Sequence, residues 1–354
     1  MTFHSPSGSR CLPGLFSLLL TCVASMSWAD DTTTPVWPFQ QALSQTQQAV
    51  EQGRTIIEGR LLSAGAKEEF SLLEAALVAG GARDGREVSR FRRMCDKWLA
   101  DLRPQAAVAG DVRKRGKKVL EFMHQHILKG QYDRQCSSLA VSLDQGRFNC
   151  VSATVLFCVL ARGCDLQVQV VGLPTHVFCR LQHGSTWHDV QTTDAEWFER
   201  PISSVVNVAS AAKERTLQDL ELIALIYYNQ GVELLQNQQF APALEANWKA
   251  LRLDPAHPSA RENVLAAYNN WAIDLASTGD FPQALSLLAA ARRFDPQHAP
   301  FRRNMATLYQ CWAAEQTQPK QAEEILQQGL QALPNEPALE LAKQAIEQKQ
   351  NNNP

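Results

Sequence analysis

The sequence predicts an α+β domain followed by an all-helical array. Three observations lead to this class: apolar residues at helical spacing from about residue 49 to 130, alternating apolar and polar residues between 166 and 192, and a motif repeated in the last third of the chain. The chain has 354 residues, of which 45% are hydrophobic and 20% are charged. This is globular composition, with enough length for two or three domains.

Residues 1–29 are expected to be a signal peptide. Arg10 precedes the apolar stretch CLPGLFSLLLTCVASMS, and Ser27 and Ala29 form a small-x-small cleavage site. We therefore expect export, to the periplasm or the medium, with cleavage after Ala29. A membrane span needs about 20 apolar residues, so no stable span is expected in the mature chain. Lipid attachment at Cys22 is the weaker alternative, because Thr21 is a poor residue before a lipidated cysteine.

Charge and cysteine content restrict the expected partners. Loss of Arg10 changes the formal charge from −2 to −3, so the mature chain is nearly neutral and a nucleic-acid partner is not expected. The basic run RKRGKK at residues 113–118 is local and is expected to be a solvated helix start. Seven of the nine cysteines follow the signal peptide, so at least one is expected to be free or to pair between chains. Their spacing matches no zinc motif, and no metal site is expected.

Changes in composition suggest the domain boundaries. Residues 30–48 are polar with two prolines and are predicted to be a linker. The α+β domain is predicted over residues 49–210, with helices interrupted at Gly80, Gly81 and Pro104. One helix then begins near residue 150. Strands are predicted over LQVQVV, HVFCRLQ and TWHDVQT, with residues 184–185 as a hairpin turn.

Residues 218–348 repeat a helical motif. The segment that starts YYNQG at Tyr227 recurs 41 residues later at Tyr268, and a weaker third copy ends at Pro334. The matching positions are Phe240 and Phe281, Ala243 and Ala284, Ala250 and Ala291, and Pro255 and Pro296. This pattern resembles the tetratricopeptide repeat, a helix hairpin of about 34 residues. The extra length of each period is expected in longer first helices.

The segment GRFNCVSATVLFCVLARG, residues 146–163, combines a helix start with a thiol. Asn149 is a typical helix cap, and Cys150 directly follows it. A helix N-terminus lowers the pKa of a thiol and favours the reactive thiolate. His176 begins a predicted strand in LPTHVFCRL, where its imidazole could serve as the base in acyl transfer. A single buried cysteine or strand histidine is usually structural, so the inference depends on the two together.

The order of these residues resembles the transglutaminase-like superfamily, the papain-like cysteine acyl-transfer fold. Its bacterial members with a helical N-terminal part share the pattern G-x-x-N-C-x-S, here residues 146–152, followed by P-x-H-V, here residues 174–177. The resemblance covers about residues 90 to 195. It implies that Cys150 is the nucleophile and His176 its base. It also implies an acid in a strand motif such as V-D-P-T, where this chain has Gln191 instead.

Strand register decides between Gln191 and Asp189 as the third member. If residues 184–185 form a two-residue turn, facing residues have numbers that sum to 369, which pairs Arg180 with Asp189. Gln191 then lies roughly 7 Å from His176, and Asp189 lies about 13 Å from it. We assign the orienting role to Gln191, with Asp189 as the alternative. A neutral amide stabilises an imidazolium less than a carboxylate does, so slow chemistry or none is expected.

Two functions follow from these predictions. The first is an exported cysteine acyl-transfer enzyme of the peptidase, amidase or transamidase type, whose array recruits a protein or peptide. The second is a catalytically inactive binding scaffold in which Cys150 is kept for packing. A metal or redox role of the cysteines is a third, weaker option. Cysteine acyl transfer requires no cofactor, and no acidic calcium loop is visible.

The repeats also contain candidate partner-binding residues. Asn229 and Asn270 each lie two residues before a small residue on the first helix of a predicted hairpin. In tetratricopeptide domains that this pattern resembles, the position faces the groove. An asparagine amide offers two donors and an acceptor to a peptide backbone or a terminal carboxylate.

Overall fold

The computed structural model describes residues 38–63, 66–196 and 214–351. These residues form helices and a four-stranded antiparallel sheet, which confirms the predicted α+β class. The predicted signal peptide and Cys22 lie outside the described residues. Within the described ranges, no helix has both the length and the apolar character that crossing a membrane requires.

The chain divides into two compact units. The first consists of residues 42–260, and the second includes residues 261–351. The first hairpin of the predicted repeats, residues 219–253, therefore belongs to the same unit as the sheet. The boundary predicted between residues 210 and 218 lies within the range of this unit.

The helices that precede the sheet occupy the first half of the chain. They are α1 Pro38–Gln52, α2 Ile56–Leu61, α3 Ala66–Glu69, α4 Leu72–Ala79, α5 Gly85–Val108, α6 Val112–His126, α7 Leu139–Gln145 and α8 Cys150–Gly163. Side-chain caps start several of them: Ser71 forms a capping box with Glu74 for α4, and Asp84 and Asp111 cap α5 and α6.

Two predictions about these helices are corrected by the structure. Residues 38–48 were predicted to be linker but belong to α1, where glutamine and alanine have good helix propensity. Pro104 was predicted to interrupt the helical pattern but lies inside α5. Leu102 and Ala106 are buried on either side of it, so packing holds α5 continuous through the proline.

The sheet consists of β1 Val168–Leu173, β2 His176–His183, β3 Thr186–Val190 and β4 Arg215–Leu217, in the order β3-β2-β1-β4. The predicted hairpin register is confirmed: Arg180 faces Asp189, and His183 faces Thr186 across the turn. Gly184 has φ +61°, a conformation that favours glycine. The apolar helix α8 packs against β2, and Cys158 Sγ lies 3.5 Å from Cys179 Sγ.

The C-terminal part of the chain is helical. Its elements are α9 Asp219–Gln236, α10 Phe240–Leu253, α11 Pro258–Ser277, α12 Phe281–Phe294, α13 Ala299–Ala314, α14 Pro319–Ala332 and α15 Pro337–Asn351. The first helices of the three successive pairs have 18, 20 and 16 residues, and each second helix has 14. The first helices are thus the longer ones, as the 41-residue period predicts.

A buried ionic cluster joins α2 to α9 and α10 in the first unit. Lys249 Nζ donates to Glu58 Oε1 at 2.9 Å and to Glu245 Oε1 at 2.7 Å. The hydroxyl of Tyr227 donates to Glu58 at 2.8 Å, and Arg54 forms a two-point ion pair with Glu245 at 2.6 and 2.7 Å. Burial raises the pKa of Glu245, but the hydrogen bonds from Arg54 and Lys249 outweigh it and leave the pKa lowered.

Replacement of Lys249 should therefore destabilise the first unit. Lys249→Met leaves two buried carboxylates without their shared cation, a loss that typically costs about 3–5 kcal/mol. Denaturant unfolding should show a clearly lower midpoint than that of the original protein. The control is Lys117→Met, whose solvent-exposed cation lies 3.9 Å from Glu121 and should change stability by less than about 1 kcal/mol. Equal midpoints for the two variants would contradict this account of the cluster.

Candidate functional site

Asn149 fixes the start of α8, the helix that opens with Cys150. Its Oδ1 accepts hydrogen bonds from the backbone N–H groups of Val151 at 2.9 Å and Ser152 at 3.1 Å. Its Nδ2 donates to the carbonyl of Arg134 at 3.0 Å and to Ser137 Oγ at 2.7 Å. Every polar atom of this buried amide is thus occupied. The cap holds the first turn of α8 and the loop before α7 in one arrangement.

The other residues of the motif around Cys150 are also structural. Ser152 Oγ accepts from the backbone N–H of Asn149 at 3.1 Å and donates to the Cys136 carbonyl at 3.0 Å. Gly146 ends α7 with φ +72°, and a Cβ there would lie 2.7 Å from the backbone nitrogen of Gly130. Glycine, asparagine and serine therefore build the turn that presents Cys150 at the helix tip.

A cleft of ≈ 510 Å³ opens beside Cys150. The tip of α8 and residues 132–135 form one part of its lining, and residues 173–177, which include His176, form another. The helix α9 contributes one face to the cleft, with Leu225, Tyr228, Asn229, Val232, Glu233 and Gln236 at helical spacing. Cys150 and His176 thus face the same cleft.

The environment of Cys150 corrects the expectation of a lowered thiol pKa. Burial raises the pKa of Cys150, against the opposing effects of the backbone N–H groups of Val177, Cys150 and Val151 and the positive charge of Arg134. The helix tip therefore acts in the predicted direction, but loss of water outweighs it. Of the seven cysteines that the structure describes, Cys150 alone is not buried. The thiol is therefore largely protonated at neutral pH.

His176 is held by Gln191, as the register predicts. His176 Nε2 lies 2.8 Å from Gln191 Oε1. With this amide orientation, the carbonyl oxygen accepts a proton carried on Nε2, which leaves Nδ1 as the free acceptor of a neutral imidazole. Burial lowers the pKa of His176, against the opposing hydrogen bond with Gln191. The neutral form, which can accept a proton from a thiol, therefore predominates at neutral pH.

The residues next to Gln191 anchor it. The Thr192 carbonyl lies 3.0 Å from His124 Nε2 on α6, and Thr192 Oγ1 lies 2.9 Å from Thr154 Oγ1 on α8. Gln191 itself is fully buried, and its Nε2 has no hydrogen-bond partner among the described residues. The contacts of Thr192 thus fix the segment that follows β3 against two helices, and they hold the Gln191 amide at the imidazole.

Asp189 lies in a different environment. Its Oδ1 accepts a hydrogen bond from Arg180 Nε at 2.6 Å, and Arg180 also binds Glu214 at 2.9 and 3.0 Å. This is the Arg180–Asp189 pair that the register predicts. Because its carboxylate binds Arg180, Asp189 is less suited than Gln191 to orient His176. Asp189 was the alternative to Gln191 for this role.

The two asparagines of the repeats differ in their surroundings. Asn229 is half-buried on α9, lines the cleft beside Cys150, and donates from Nδ2 to Ser137 Oγ at 2.8 Å. Asn270 is half-buried on α11 in the second unit. Equal positions in the repeated sequence thus do not give equal environments, because α9 belongs to the unit that contains the sheet. The use of both asparagines in one partner-binding groove stays a prediction.

Several residues of the cleft were missed from the sequence. Tyr132 and Arg134 precede α7 in a segment without helical or strand periodicity, and Glu233 lies on the face of α9. No sequence signal identifies Arg134, because only the structure shows that Asn149 holds its carbonyl. No cluster of three or more His, Cys, Asp or Glu side chains suited to a metal ion occurs within the described residues.

Comparison with protein families agrees with this geometry. The model of the transglutaminase-like superfamily matches residues 91–249. These residues form a transglutaminase-like domain. The domain extends from α5 through most of α10, so it contains Cys150, His176, Gln191 and the α9 wall of the cleft. The match includes most of the first repeat copy but does not show tetratricopeptide repeats. No curated protein and no solved structure matches the chain.

The pH dependence of alkylation tests the protonation state of Cys150. Iodoacetamide reacts with the thiolate, and burial raises the pKa of Cys150, so the rate at Cys150 should still be rising above about pH 8.5, the ordinary thiol value. The rate is measured by mass spectrometry of the labelled peptide, with an unstructured cysteine peptide as the control. A plateau reached between roughly pH 5 and 7 would show a stable thiolate–imidazolium pair and contradict this description.

Proposed function

We propose that this protein is a cysteine acyl-transfer enzyme with Cys150 as nucleophile, His176 as base and Gln191 as the residue that orients His176. The hydrogen bond of 2.8 Å between His176 Nε2 and Gln191 Oε1 carries this proposal. This bond leaves Nδ1 free to accept a proton, and both His176 and Cys150 line the cleft. A resting pair of neutral thiol and neutral imidazole requires proton transfer during the attack.

The chemistry proceeds in two steps. In the first, the Cys150 thiol gives its proton to His176, and the sulfur bonds to the acyl carbonyl carbon of the substrate. His176 then gives the proton to the leaving amine, and a thioester on Cys150 remains. In the second step, water or an amine attacks the thioester, His176 takes the proton from this nucleophile, and the thiol is restored.

The first turn of α8 supports the charged intermediate. The Asn149 cap binds the N–H groups of Val151 and Ser152, whereas the N–H of Cys150 begins the helix and has no acceptor within α8. A backbone donor of this kind can bind the oxygen that becomes negative in the tetrahedral intermediate. The capped turn of α8 thus offers the nucleophile and an oxyanion donor, and His176 at the start of β2 offers the base.

The type of acceptor separates the subclasses of this function. Water as acceptor gives a peptidase or amidase, and an amine gives a transamidase.

We further propose export, based on the apolar segment after Arg10, and partner binding by the helical array that resembles tetratricopeptide repeats. In such an enzyme the array recruits a protein or peptide, and Asn270 is its remaining candidate contact.

An inactive scaffold is the second candidate function. Two observations favour it: burial raises the Cys150 pKa, and a neutral amide stands where the superfamily usually has an acid. Both lower the stability of a thiolate–imidazolium state. In this case the cleft binds a ligand without forming a thioester.

Hydrolysis of activated p-nitrophenyl acyl esters distinguishes the two functions. The enzyme should release nitrophenolate, and Cys150→Ala should reduce the rate to that of the uncatalysed ester. His176→Ala should lower the rate by about 10²–10⁴-fold, the range of general base catalysis. Turnover by Cys150→Ala equal to that of the original protein would exclude the proposed nucleophile and favour the scaffold.

The third residue is tested by two variants, one at Asp189 in β3 and one at Gln191 directly after the strand. Gln191→Ala should lower ester turnover, because it frees the imidazole to rotate and change its tautomer. Asp189→Ala should stay close to the original rate, because Asp189 binds Arg180 and not His176. The reverse order, with Asp189→Ala inactive and Gln191→Ala unchanged, would overturn the assigned role of Gln191.

A further inference from the structure

The charged side chains of the Cys150 cleft have an asymmetric distribution. Asp133, Arg134 and Glu233 line it. The carboxylate of Asp133 is already bound, by Arg147 at 3.2 Å and by the backbone N–H of Gln135 at 3.0 Å. Neither Arg134 nor Glu233 forms an ion pair with any residue in the described part of the chain.

Arg134 is fixed to the nucleophile through its backbone. The Arg134 carbonyl accepts a hydrogen bond of 3.0 Å from the same Asn149 amide that caps α8. This bond ties the backbone of Arg134 to the helix start that carries Cys150. The positive charge of Arg134 acts on Cys150 and Tyr132 in the cleft. Burial raises the pKa of both groups, and the charge of Arg134 opposes this rise.

Glu233 carries the opposite charge on the α9 face. It lies one helical turn after Asn229, which donates to Ser137 Oγ at 2.8 Å and so connects α9 to the loop that contains Arg134. The cleft is thus positive beside the nucleophile and negative on the α9 face. A substrate that places a carboxylate near Cys150 fits this polarity, whereas one that places a cation there does not.

We propose that Arg134 determines specificity by binding a carboxylate of the acyl substrate close to the reacting carbonyl. The inference deepens the proposed function and rests on it. A guanidinium suits this role because its planar N–H groups match the two oxygens of a carboxylate. Acyl donors with an acidic group next to the scissile bond are therefore the substrate class that the cleft selects.

Two alkylating reagents test this without knowledge of the substrate. Iodoacetate carries a carboxylate next to its reactive carbon, and iodoacetamide is its neutral analogue. The ratio of their rates at Cys150 is independent of the thiolate fraction, because both reagents require the same thiolate. The measurement uses the full chain, with site-resolved mass spectrometry, in the original protein and in Arg134→Gln.

Arg134→Gln should lower the iodoacetate-to-iodoacetamide ratio about fivefold, which corresponds to one unit charge acting through water at contact distance. Arg134→Lys should retain most of the preference because it keeps the charge. Glu233→Gln should raise the ratio or leave it unchanged. About 1 M salt should reduce the preference of the original protein, because the Debye length falls to about 3 Å.

The outcomes separate the inference from the proposed function. An unchanged ratio in Arg134→Gln, or an equal loss in Arg134→Lys, would overturn the role of Arg134 and leave the nucleophile intact. Failure of Cys150 to react with either reagent would overturn the proposed function and the inference with it. Arg134 is exposed, so its substitution should preserve the fold, and matching circular dichroism spectra verify this for each variant.

Discussion

The side chain of Asn149 organises the whole cleft. One end of its amide caps α8 at Val151 and Ser152, and the other end holds Arg134 and Ser137. Ser137 in turn accepts a hydrogen bond from Asn229 on α9. The nucleophile, the charged loop and the α9 wall are therefore connected through one buried amide. Removal of this amide would leave buried donors and acceptors unpaired, each at a cost of about 1–3 kcal/mol.

Burial and hydrogen bonding compete at the site, and burial prevails for both reactive groups. Loss of water raises the pKa of Cys150 more than the nearby N–H groups and Arg134 lower it. The same effect lowers the pKa of His176 despite the bond to Gln191. The two shifts favour a neutral pair in the resting protein. A neutral amide as third member is consistent with this state, because it fixes the imidazole but stabilises the charged form less than burial destabilises it.

The sequence predicts the parts of this site that depend on short-range pattern. The turn at residues 184–185 sets the register, and the register places Gln191 at His176 and Asp189 at Arg180. Long-range packing is not readable in the same way. The repeat pattern assigned Asn229 to a groove, whereas α9 packs into the unit of the sheet and turns this residue to the cleft. The net pKa of Cys150 depends on the water that folding excludes, which the helix cap alone does not reveal.

The protonation of His176 is the most direct test of the account, because the proposed chemistry requires a neutral base held by Gln191. Long-range ¹⁵N–¹H correlation spectra of the histidine rings, with His176 assigned by substitution, report both charge and tautomer. The account predicts a neutral His176 at pH 7 with its proton on Nε2, and loss of the single tautomer in Gln191→Ala. A charged His176 at pH 7, or a proton on Nδ1 in the original protein, would contradict it.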